Sequence, residues 1–144
     1  MKLELRAFGL PLHPFLVHIP IAMWLAVPVL DFAALLSGPE PWLDLAFAAT
    51  VVGLVFGAMA LATGLLDYLQ PSLAGIDMRL AARHGIRTTL AWCTFAARLG
   101  LAAILDPGAG SAALFLVLDL LGCGLLLQGV YLGTRQVYQQ LERD

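Results

Sequence analysis

Long apolar runs, broken by short polar or turn-forming stretches, set the plan of this chain. The first runs from Phe15 to Leu36, 22 residues or about 33 Å at helical rise, enough to cross the hydrocarbon core of a bilayer. Ser37-Gly38-Pro39-Glu40-Pro41 closes it as a turn. A second run covers residues 43–66. A third covers 86–105 and ends at Asp106-Pro107-Gly108, and a fourth covers 112–133 before a polar tail. Between the second and third, residues 70–85 interleave Leu73, Ile76 and Leu80 with Asp77, Arg79, Arg83 and His84, the pattern of a connector helix lying on a membrane surface. Four spans joined by short loops predict an all-α fold, an up-down four-helix bundle forming one domain over residues 1–144.

Within the runs, small residues and prolines add detail. Ala46, Ala49, Gly53, Gly57, Ala60 and Gly64 share one helical face, ending at Asp67; small residues at that spacing let membrane helices pack closely. Pro14 suits the first turn of a helix, with His13 near its N-cap. Pro20 and Pro28 lie deeper, free the carbonyls of Leu16 and Trp24, and predict kinks.

Composition agrees with a chain solvated mostly by lipid. It is 60% hydrophobic and 12% charged, with a mean hydropathy of +0.87, where a soluble domain carries about a quarter charged residues. The formal charge of −2 says little, but its distribution is informative. Every Lys and Arg except Arg98 (Lys2, Arg6, Arg79, Arg83, Arg87, Arg135, Arg143) falls at the start, around the middle connector, or in the tail. Those regions share one side of a four-span protein, so both termini are expected on the cytoplasmic side of the membrane. Glu4 and the histidines and prolines interrupting the first run argue against a signal peptide. Cys93 and Cys123 lie in apolar runs and read as packing residues.

The candidate chemistry is sparse. His13, His18 and His84 all fall near the cytoplasmic ends of spans one and three. His18 and His84 stand at similar depth on different helices, and facing histidines in a four-helix bundle are a way to hold b-type haem by two axial imidazoles. His18 is preferred over His13 because it is deeper. The alternative is that these histidines merely hydrogen-bond at helix mouths; a three-histidine copper or zinc site is a further option. Towards the other face, Asp31, Arg98 and Asp119 share a depth, as a structural ion pair or a proton or ion relay. No nucleophile elbow, phosphate loop, zinc-protease motif or carboxylate dyad occurs, and nothing points to nucleic acid.

His13-Pro14-Phe15-Leu16-Val17-His18-Ile19-Pro20, then Asp31, then Gly64-Leu65-Leu66-Asp67-Tyr68, resemble the bacterial DUF2231 family of membrane proteins. His84, Arg98 and Gly129-Val130-Tyr131-Leu132-Gly133 continue the likeness in order, over His13 to about Tyr138. The family usually carries a Gly-Gly pair with an acidic residue after the last span; here Thr134 and Arg135 follow Gly133. Some relatives are fused to Rieske-type domains, so the resemblance implies a redox membrane setting. The leading expectation is a haem-binding electron-transfer protein or redox-complex subunit that passes electrons to a partner or to quinone. One rival is an accessory subunit without a cofactor, docking a larger membrane complex through the Gly53, Gly57 and Gly64 face. The other is a proton or ion pathway.

Overall fold

The computed structural model describes residues 6–7, 10–69, 77–106 and 108–141. A two-residue antiparallel ladder, β1 (Arg6–Ala7) with β2 (Leu10–Pro11), leads into five helices: α1 (Leu12–Leu16), α2 (His18–Ser37), α3 (Trp42–Tyr68), α4 (Met78–Ala102) and α5 (Ala109–Leu141). Three segments are long and apolar enough to cross a membrane: Leu12–Ser37, Trp42–Tyr68 and Gly110–Gln139. The fourth long helix, α4, carries Arg79, Arg83, Arg87 and Arg98, which lower its apolarity.

Local chemistry explains the helix boundaries. The break at Val17, between α1 and α2, falls one residue past Leu16, whose carbonyl the Pro20 ring would otherwise strike. It is slight, because Val17 N–H still donates to His13 O and Ile21 N–H to Val17 O, both at 3.2 Å. Pro28 leaves α2 continuous. The Trp24 carbonyl it frees accepts a hydrogen bond from the Cys123 thiol at 3.3 Å, so that cysteine caps a backbone acceptor as well as packing. Gly38, at φ +100°, ends α2 in a conformation that suits glycine, its N–H returning to Ala34 O.

Two expected boundaries are corrected. Helix α4 begins at Met78 rather than at residue 86, because Asp77 is its N-cap, accepting from Arg79 N–H at 3.0 Å and Leu80 N–H at 3.2 Å. Residues 78–85 are thus the first two turns of α4, and residues 70–76 of the expected connector lie outside the described residues. Helix α5 does not stop at residue 133 but continues to Leu141, since the Arg and Gln of the tail are good helix formers.

The helices pack in a ring: α2 touches α3 and α5, and α4 touches α3 and α5. At its centre the Trp24 and Phe95 rings stack with centroids 4.7 Å apart and planes 8° apart. Glycine backs each ring, Gly53 and Gly57 of α3 behind Trp24 and Gly122 of α5 behind Phe95. The small-residue face of α3 is therefore largely spent inside the molecule on an aromatic neighbour, with Ala46, Gly53, Gly57 and Ala60 all buried. That removes much of the surface an accessory subunit would dock with. The outer faces stay apolar and exposed, as at Val29, Leu36, Val117 and Leu120, which fits contact with lipid.

Two hairpins, α1–α3 and α4–α5, repeat one another. In the first, His13 lies on Gly64 and Trp24 on Gly53; in the second, His84 lies on Gly133 and Phe95 on Gly122. The interval from His13 to Trp24 equals that from His84 to Phe95, and Gly53 to Gly64 equals Gly122 to Gly133. Equivalent rings also meet one another, Trp24 with Phe95 and His13 with His84, as an approximate two-fold axis between the hairpins requires.

Candidate functional site

Two polar clusters lie inside this apolar frame. At one end, His13 Nδ1 is 2.8 Å from the Ala60 carbonyl and His84 Nδ1 is 2.7 Å from the Gly129 carbonyl. A carbonyl only accepts, so each Nδ1 carries the hydrogen and donates it. In the neutral ring the lone pair is then on Nε2, the tautomer that carboxyl or carbonyl partners impose on metal-bound histidines. Each accepting carbonyl lies one helical turn before the glycine that makes room for the ring, Ala60 before Gly64 and Gly129 before Gly133. The Thr63 hydroxyl, bonded to Met59 O and Ala60 O, stands 3.5 Å from His13 Nδ1.

The two ring centroids are 6.4 Å apart with planes at 87°. Imidazoles on opposite sides of one ion, each nitrogen about 2 Å from it, have centroids about 6 Å apart. Both rings are half-buried, while His18 is exposed on the outside of α2. The histidine that faces His84 is therefore His13, not His18. Depth favoured His18, but five residues turn a helix by about 140°, which carries His18 to the outer face. The three-histidine metal site is also corrected, since no group of three or more His, Cys, Asp or Glu able to hold an ion occurs among the described residues.

Towards the other end, Arg98 of α4 reaches two carboxylates. Its Nη2 donates to both oxygens of Asp31 at 2.8 and 2.9 Å, and its Nε lies 3.4 Å from Asp119 Oδ1. The Phe115 ring covers the guanidinium at 4.8 Å. All three charged side chains are essentially inaccessible, at 1% exposure or less, and among the described residues the Asp119 oxygens have no hydrogen-bond partner. The cluster ties α2, α4 and α5 together. Arg98 is about 21 Å along α4 from His84, with the Trp24–Phe95 stack at the level between. Thr88, on that face, spends its hydroxyl on the carbonyls of His84 and Gly85. An apolar plug therefore separates the two polar clusters, which counts against a proton or ion pathway.

A family model described as a predicted membrane protein, DUF2231, matches residues 9–141, nearly the whole chain. The chain belongs to the DUF2231 family. This makes it a membrane protein, in keeping with its three span-length apolar helices. Comparison with curated proteins and with solved structures found no match for this DUF2231 chain.

Sequence reasoning found both polar clusters but missed the internal repeat that organises them. The signal was present: a histidine followed at equal interval by an aromatic residue, then two glycines at equal interval, once in each half. The glycines of α5 passed as ordinary constituents of a span, because only the structure shows a ring lying on each.

Proposed function

We propose that this chain is a small electron-transfer protein of the bacterial inner membrane, binding a b-type haem between His13 and His84. In this reading α2, α3, α4 and α5 all span, as an up-down bundle with both termini in the cytoplasm. Arg98 does not bar α4 from the bilayer, because Asp31 and Asp119 neutralise it. The observation carrying the proposal is the paired imidazoles, each held through Nδ1–H on a backbone carbonyl and 6.4 Å apart between centroids. That donor set would suit the iron of a tetrapyrrole, which His13 and His84 would hold through neutral imidazole nitrogens.

Bound haem would supply one-electron redox chemistry. The residues of the chain hold and orient it. Ala60 and Gly129 fix the ring tautomers and raise ligand basicity through the hydrogen bonds they accept. Gly64 and Gly133 let each ring lie against the neighbouring helix. A membrane redox partner or quinone would exchange electrons at this end of the bundle.

The test is the dithionite-reduced minus oxidised absorption spectrum of solubilised protein from haem-supplemented cells. Sharp α and Soret bands, lost in His13→Ala and in His84→Ala but kept in His18→Ala, are expected. A featureless wild-type spectrum refutes haem binding.

A further inference from the structure

The internal repeat separates what the fold requires from what it does not. Its two halves agree in the histidines, the aromatic rings and the glycines they rest on, but differ in charge at the histidine end. One residue before His84 and three after it stand Arg83 and Arg87; the same positions around His13 are Leu12 and Leu16. Two residues past Gly133 stands Arg135, where Leu66 stands two past Gly64. Arg83, Arg87 and Arg135 are all exposed, so packing of the core does not account for these three arginines of the α4–α5 hairpin.

These arginines line two adjoining clefts between α4 and α5. The first, of about 220 Å³, has Arg79, Arg83 and Arg135 around it. Its acidic residue, Asp77, is engaged in capping α4. The second, of about 450 Å³, shares Arg83, adds Arg87, and is walled by Tyr131 and Leu132. On the α5 side the lining thus changes from Arg135 to Leu132 and Tyr131, while Arg87 and Gln128 keep polar groups at the second cleft. A phosphodiester with attached acyl chains has that same polarity. We propose that the α4–α5 groove binds an anionic phospholipid, its phosphate between Arg83 and Arg135 and a chain along Tyr131 and Leu132. Guanidinium forks match phosphate oxygens in geometry as well as charge, and the cytoplasmic leaflet supplies anionic headgroups. The site is independent of haem.

The experiment uses the full chain in neutral detergent, with thermal unfolding followed as short-chain phosphatidylglycerol, phosphatidylcholine or inorganic phosphate is added. Phosphatidylglycerol should raise the midpoint by several degrees, with the other two nearly without effect. Arg83→Gln with Arg135→Gln should abolish the rise. A charge-matched variant elsewhere, Lys2→Gln with Arg6→Gln, should keep it. Equal stabilisation by phosphatidylcholine, or an undiminished rise in the arginine variant, overturns the proposal. A rise with phosphate alone assigns the groove to a free anion and overturns the lipid.

Discussion

The aromatic sandwich at the centre of the ring predicts a large effect from a single methyl group. A Cβ added at Gly53 would meet the Trp24 indole nitrogen and lie 2.6 Å from its Cδ1 and 2.9 Å from its Cε2. Ordinary contact needs roughly 3.6 Å, so the indole must retreat by about 1 Å. It cannot do so freely. Phe95 stacks on its other face at 4.7 Å, and Gly122 leaves no slack behind Phe95, since a Cβ there would fall 2.8 Å from Phe95 Cε2. Overpacking of this kind costs about 1–3 kcal/mol, partly offset by the gain of up to about 1 kcal/mol when alanine replaces glycine in a helix. Gly53→Ala should therefore lose about 1–2 kcal/mol, or roughly 3–6 °C in unfolding midpoint for a chain of this length. Gly124→Ala is the matched control, because nothing lies within 4 Å of its added Cβ. It should be neutral or slightly stabilising. The assay is thermal unfolding in detergent followed by tryptophan fluorescence. Gly53→Ala no less stable than Gly124→Ala would refute the sandwich.

Other positions give smaller or larger effects by the same logic. Arg98→Met leaves Asp31 and Asp119 buried without their cation and should cost about 3–5 kcal/mol, read as loss of folded protein on size exclusion. Trp92→Phe removes the indole hydrogen bond to the Leu54 carbonyl at 3.0 Å and should cost about 0.5–1.5 kcal/mol in denaturant unfolding. Cys123→Ala strips the Trp24 carbonyl of its donor and should cost about 1 kcal/mol in the same assay, whereas exposed Cys93→Ala should cost nothing measurable.

Much of the architecture was legible in the sequence because it follows from length and hydropathy. The turn at Ser37–Pro41 and the carbonyls freed by Pro20 and Pro28 could be read residue by residue. Arg98 and Asp119 could be matched by counting from the loop between their helices, and they meet. Azimuth was harder. Depth alone preferred His18 to His13, but which side of a helix faces inward depends on its neighbours, and His18 faces out. The start of α4 was missed because Asp77, Arg79 and Arg83 look like a polar connector until Asp77 is recognised as a cap. The ring-on-glycine pairings were illegible because a glycine names no partner. The sequence shows a gap, and only the fold shows which ring fills it.

The central claim is that His13 and His84 would together hold one haem iron. Low-temperature electron paramagnetic resonance of the oxidised, haem-loaded protein tests it most directly, since two imidazole ligands give a low-spin ferric signal. The account predicts that signal in the wild type and in His18→Ala, and its conversion to high-spin or loss in His13→Ala and His84→Ala. A low-spin signal that survives in His13→Ala and disappears in His18→Ala would contradict it.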